Sequence, residues 1–170
     1  MKIKNVEIKA KTEYPNKVID KLKSLNADYR GCDTQIDTYF NIQSGRLKLR
    51  QGNIENSLIF YNRENTKDSK LSDIAFSNIE NGADVLDVLL SALGEKITVK
   101  KDRHIYFIDH VKFHVDYLDK LGTFVEIEVI DEKNEYSESE MHRLCAHYMD
   151  LLSIQKTDLL THSYSDMLGL

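Results

Sequence analysis

Three cations occupy alternate positions in Arg46-Leu47-Lys48-Leu49-Arg50, and two carboxylates do the same in Glu126-Ile127-Glu128. Alternate residues of a strand face the same way at a spacing of about 7 Å, so each set shares one face. Like charges packed this way destabilise a sheet unless a counter-charge neutralises them. A row of Lys and Arg suits an anion with many oxygens, such as a chain of phosphates. A pair of carboxylates suits a hard divalent cation held through oxygen. Phosphoryl chemistry needs both.

The same segregation recurs along the chain. Glu7, Lys9 and Lys11 alternate with Val6, Ile8 and Ala10. Further charged or polar faces carry Tyr61 and Arg63, then Lys101 and Arg103, then Lys112, His114 and Asp116. A single strand of this kind is ordinary, because antiparallel sheets often keep one face in water. Solvent faces usually mix signs and use Thr, Ser and Gln freely, whereas Arg46, Lys48 and Arg50 are all cations and Glu126 and Glu128 are both carboxylates. A sheet that curls so that its charged faces line a lumen accounts for the whole set.

The elements that position these residues follow from periodicity and punctuation. Strands are predicted at residues 6–11, 37–41, 46–51, 58–63, 97–103, 105–109, 111–117 and 123–130, with turns at Gln43-Ser44-Gly45, His104, His110 and Leu121-Gly122. Residues 62–73 read as a polar loop. Helices are predicted from Pro15 to about Leu25, around 85–93 ending at Gly94, from Ser137 to Leu151 and from about Thr157 to Met167. Ser137 and Glu140 form a capping box. Strands outnumber helices and follow one another closely, so the fold class is α+β: an antiparallel barrel with helices outside.

Composition fits this reading. The chain has 170 residues, 41% hydrophobic and 30% charged, with one proline and seven glycines. A single domain over residues 1–170 is expected. No apolar run approaches the roughly 18 residues of a membrane span, and the first residues lack a signal-peptide core, so the cytoplasm is the expected location. The net charge of −5 argues against a general nucleic-acid binder. Cys32 and Cys145 are distant and form no motif, so free thiols are expected. His142, Cys145 and His147 invite a metal reading, but a surface helix with one packed cysteine accounts for them better and no second ligand pair lies nearby.

Several segments, in order, resemble the CYTH superfamily, which includes class IV adenylate cyclases, thiamine triphosphatases and other triphosphate tunnel enzymes. These are Val6-Glu7-Ile8-Lys9, Asp37-Thr38-Tyr39-Phe40, Gly45 to Arg50, Leu58 to Arg63, Lys101-x-Arg103, His114-Val115-Asp116, Leu121 to Glu128 and Ser163 to Leu168. The resemblance implies an eight-stranded tunnel that binds a small-molecule triphosphate with Mg²⁺ or Mn²⁺. It implies metal ligation by Glu7, Glu126 and Glu128, with Asp116 adjacent. It implies phosphate contacts from Lys9, Arg46, Lys48, Arg50, Arg63, Lys101, Arg103 and Lys112, with Lys9 and Tyr39 as the catalytic candidates. Dimers are common in the cyclase branch, so a homodimer is compatible with the resemblance.

Two positions depart from the family pattern. Asn5 replaces the first Glu of the usual Glu-x-Glu-x-Lys signature, which weakens a second metal site. Tyr61 stands where several triphosphatases carry a lysine, in a segment closer to the cyclase branch. The expected activity is conversion of ATP to cyclic AMP and pyrophosphate. The alternatives are an inorganic or organic triphosphatase, or a non-catalytic nucleotide or polyphosphate module.

Overall fold

A computed structural model describes residues 1–62 and 69–169. Eight strands, β1 (Lys2–Lys11), β2 (Asp28–Phe40), β3 (Arg46–Gln51), β4 (Ser57–Asn62), β5 (Lys70–Asn78), β6 (Glu95–Ile108), β7 (Val111–Leu118) and β8 (Gly122–Asp131), close into an antiparallel barrel. The order around the barrel is β1-β5-β4-β3-β2-β6-β7-β8, closing back onto β1. Helices α1 (Pro15–Ser24), α2 (Gly82–Leu93), α3 (Glu138–Leu151) and α4 (Tyr164–Leu168) pack outside or at one end. The expected architecture is therefore present.

The hydrophobic core lies between the barrel and its helices, not inside the barrel. Val6, Ile8 and Ala10 of β1, Phe113 and Val115 of β7, and Val125, Ile127 and Val129 of β8 are all buried in one cluster. The same cluster takes Val18 and Leu22 from α1 and Met141, Cys145 and Met149 from α3. Each fully buried aliphatic side chain contributes about 1.5–3 kcal/mol. With the apolar face of β1 committed outward, the alternation of the strand turns Glu7 and Lys9 inward. The capping box at Ser137 and Glu140 is present and fixes the start of α3.

Four expectations need correction. Residues 70–73, read as loop, open strand β5. Its polarity is inverted: Lys70 and Ser72 are buried while Leu71 and Asp73 are exposed, so the usual alternation signal points the wrong way. There is no turn at His104, because β6 runs unbroken past it, pairing His104 with Cys32 and Val115. Strand β2 begins at Asp28, nine residues before the predicted start. It carries a register shift at Gly31 and buries the polar Asp33 and Gln35, which hide it from an apolar count. The last helix is a single 3-10 turn at Lys156–Asp158 followed by the short α4. Arg63 falls outside the described residues.

Candidate functional site

The barrel encloses a cavity of about 620 Å³, within the range of roughly 300–1,000 Å³ usual for small-molecule sites. Lys9, Lys48, Arg50, Lys101, Arg103 and Lys112 line it, together with Glu7, Glu126, Glu128 and Tyr39. Strand alternation brings these ten predicted residues onto one wall. Arg46 is not on that lining. It stands beside α4, where its Nη2 donates to Asp166 at 2.9 Å. Asp116 lies behind the lining, fully buried, with Arg103 and Tyr164 covering its oxygens. That geometry makes it a support for Arg103.

The cations are not left for a ligand to neutralise. Asp37 accepts from Lys48 (2.9 Å), from Arg50 through Nε (2.8 Å) and Nη2 (3.0 Å), and from Lys101 (2.8 Å). Burial alone would raise its carboxyl, but Arg50, Lys101 and Lys48 outweigh burial and hold it well below the usual range. Glu55 accepts from Arg50 Nη1 at 2.8 Å and from Lys112. Burial opposes ionisation there too, and Lys112 and Arg50 again win, holding Glu55 far below the normal carboxylate range. Arg103 donates to Asp116 and, at 2.6 Å, to Glu126. Lys9 sits 3.1 Å from Glu126 and 3.4 Å from the centre of the Tyr164 ring.

Lys101 is the exception in its protonation. Burial pulls its ammonium down, Asp37 pulls it up, and the neighbouring Arg103, Arg50 and Lys48 pull it down again, leaving it at about 7. Buried among cations, it is poised to gain or lose a proton near neutrality.

Sequence reading missed Glu55 and assigned no role to Asp37. Glu55 lies in the turn between β3 and β4, where strand alternation carries no information. Its position comes from Asp33, fully buried, which accepts the backbone N–H groups of Ile54 (2.8 Å) and Glu55 (3.0 Å). Gly52 is needed there because a Cβ would lie 2.5 Å from Asp33 Oδ1. Tyr164, on α4, reaches the lining through the Ser163–Asp166 capping box, a signal that is legible in Ser163-x-x-Asp166.

A divalent cation fits one part of the wall. His114, Glu126 and Glu128 each offer a ligand atom, all within 4.8 Å of one another, and Glu7 is the ladder partner of Glu128. Carboxylate oxygens dominate this donor set, which suits a hard ion. His142 and Cys145 do not converge: Cys145 is buried in the core, and His142 contacts Ser69 and Glu138.

The comparisons agree with this geometry. The M. jannaschii protein named "Putative adenylate cyclase MJ0240" (Methanocaldococcus jannaschii) is 28% identical over 180 residues, covering 97% of this chain and 98% of that protein. The PH1012 protein of Pyrococcus horikoshii superposes with a TM-score of 0.83 at 20% identity, over 95% of this chain and 98% of that one. A Hippeastrum protein, described as a "putative adenylyl cyclase" with a dominant triphosphatase activity, superposes with a TM-score of 0.64 at 11% identity, over 98% and 93%. At these identities the two structures speak for the fold alone. The CYTH domain matches residues 4–162, and with that match over a closed barrel whose charges face inward, the chain belongs to the CYTH domain family.

Proposed function

We propose that the protein is a metal-dependent enzyme acting on a nucleoside triphosphate in its barrel, with ATP converted to cyclic AMP and pyrophosphate. The observation that carries this reading is the cavity wall, on which six buried or part-buried cations face Glu126 and Glu128, which lie with His114 within metal-binding reach. Glu7, Glu126 and Glu128 would hold Mg²⁺ or Mn²⁺, which supplies positive charge against the phosphate oxygens.

The chain's own residues do the remaining work. Lys48, Arg50, Lys101 and Arg103 bind the phosphates. Because Asp37, Glu126 and Asp116 already fix these cations in place, little reorganisation is needed when charge develops on the leaving pyrophosphate. In the reaction a bond forms between the ribose 3′-oxygen and the α-phosphorus, and the bond from that phosphorus to the bridging oxygen of pyrophosphate breaks. Lys9, clamped between Glu126 and Tyr164, is assigned to the developing charge. Tyr39, buried and on the lining, is assigned to orient the 3′-hydroxyl, whose proton ends on the departing pyrophosphate.

A triphosphatase reading uses the same clamp with water as nucleophile, an activity that the description of the Hippeastrum protein gives for that protein. Product analysis with ATP and Mg²⁺ or Mn²⁺ separates the two. Cyclic AMP with pyrophosphate supports the cyclase. ADP with phosphate supports the triphosphatase. Unchanged ATP under both metals refutes the enzyme reading.

A further inference from the structure

Glu126 receives Lys9, Arg103 and His114, and they do not fall evenly on its two oxygens. Lys9 lies 3.1 Å from Oε1. Arg103 Nη2, at 2.6 Å, and His114 Nδ1, at 3.1 Å, both meet Oε2. A carboxylate oxygen offers about two lone-pair sites, so Oε2 is filled and Oε1 keeps one. The last torsion of a Glu side chain is broad and has little preference of its own. The donors around Glu126 therefore set which oxygen it turns toward a metal.

His114 is one of those donors, or it is a ligand itself. It pairs with Glu126 in the β7–β8 ladder, and its Nδ1 also lies 3.6 Å from Glu128 Oε1. By distance alone it could share an ion with both carboxylates. The other ring nitrogen decides. The residue is 1% exposed, and Nε2 is buried with no hydrogen-bond partner among the described residues.

If Nδ1 bound an ion, the proton of the neutral ring would sit on Nε2. A metal-bound histidine almost always donates that N–H to an acceptor, and here it would be orphaned. A doubly protonated ring would orphan the same N–H. A buried N–H without an acceptor is rarer than a buried acceptor short of a donor. Only the form with its proton on Nδ1 leaves a bare lone pair at Nε2, and that form also places a proton in front of the carboxylates.

We propose that His114 is a positioning residue and not a ligand: its Nδ1–H donates to Glu126 Oε2 and, with Arg103, leaves Oε1 to meet the divalent ion. This rests on the reading of Glu126 and Glu128 as a metal site and adds what aims the carboxylate.

Two measurements test it. Nitrogen NMR of the His114 imidazole, on the whole protein with and without Mg²⁺, reads the tautomer. A proton on Nδ1 and a bare Nε2 are expected in both samples, and a proton on Nε2 in either would overturn the assignment. Because the metal-free sample is informative by itself, this result is separate from whether an ion binds, and it decides the matter if the variants do not fold. The second measurement is Mn²⁺ affinity, from the loss of the free-ion EPR signal, with Mg²⁺ as competitor. The proteins are wild type, His114→Asn, His114→Gln and His114→Leu. The amide nitrogen of Asn takes the place of Nδ1, whereas that of Gln takes the place of Nε2. His114→Gln and His114→Leu should lose about tenfold to a hundredfold for both ions, and His114→Asn should stay within about threefold of wild type. Equal losses in all three variants would reduce His114 to packing. A loss for Mn²⁺ alone would make its nitrogen a ligand and sink the proposal equally. If wild type binds neither ion, the metal site itself is refuted, and the role of His114 toward it falls with it.

Discussion

Replacing Asp37 by Asn keeps the shape of the side chain and removes the charge that three buried cations share. Lys48, Arg50 and Lys101 all donate to this one carboxylate, whose exposure is 1%. Removing one partner of a buried ion pair typically costs about 3–5 kcal/mol, because the other charge stays buried without compensation. Lys101, already drawn down to about 7, can shed its proton in the variant, and Arg50 retains Glu55. The lower end of that range, about 3 kcal/mol, is therefore expected. For a chain of this length it corresponds to a fall in Tm of roughly 6–12 °C.

Adding inorganic triphosphate should return the missing negative charge, so the ligand-induced rise in Tm should be larger in Asp37→Asn than in wild type. The pH dependence has a definite sign. The folded-state pKa of Asp37 is depressed, so its contribution to stability is present above the unfolded value near 4 and is lost as pH falls below it. The gap between wild type and variant should narrow with acidification below about pH 4. Thermal unfolding with and without triphosphate, across pH, is the assay. A variant within 2 °C of wild type at pH 8, or equal ligand shifts in both proteins, would refute the claim that Asp37 is the counter-charge of the basic wall.

Three further outcomes are expected. Lys101, at about 7 in the free protein, should take up a proton when triphosphate binds at pH 7–8. Calorimetry in buffers of different ionisation enthalpy should detect that uptake in wild type and not in Lys101→Arg, and its absence from wild type would remove Lys101 from the phosphate wall. Glu128→Gln should abolish metal-dependent turnover of ATP while leaving the fold intact, whereas Glu126→Gln should also destabilise the protein because Lys9, Arg103 and His114 all contact Glu126; full wild-type turnover in excess EDTA would sink the metal assignment. Tyr164→Phe removes a 2.7 Å donor to the buried Asp116 and should cost about 1.5–3 kcal/mol, read by denaturant titration, and an unchanged midpoint would show that the bond contributes nothing.

Much of the site was legible in the chain itself. Period-two alternation in Val6 to Lys11, Arg46 to Gln51 and Thr123 to Ile130 separates an apolar face from an ionised one, and that alone dictates that one face is core and the other is not. The capping box at Ser137 and the turn at Gly45, with φ of 73°, are likewise local and readable. What alternation cannot say is which charge meets which. The like charges of Arg46-x-Lys48-x-Arg50 implied a need for neutralisation by a ligand, yet much of the neutralisation comes from within. Asp37 sits beside Arg50 through a ladder pairing, Asp116 is the ladder partner of Arg103, and Glu55 is turned inward by the buried Asp33.

The location of the core was also decided by tertiary structure. Closing the sheet gives the ionised faces a lumen and obliges the apolar faces to find cover outside, which α1 and α3 supply. Strand β5 escaped notice for the same reason. Its buried residues include Lys70 and Ser72 and its exposed ones include Leu71, an order that becomes favourable only when the inward side is a polar cavity. Sequence determined which residues share a face. The closed barrel determined that the charged face is the inner one, because only there can the carboxylates of one strand lie against the cations of another.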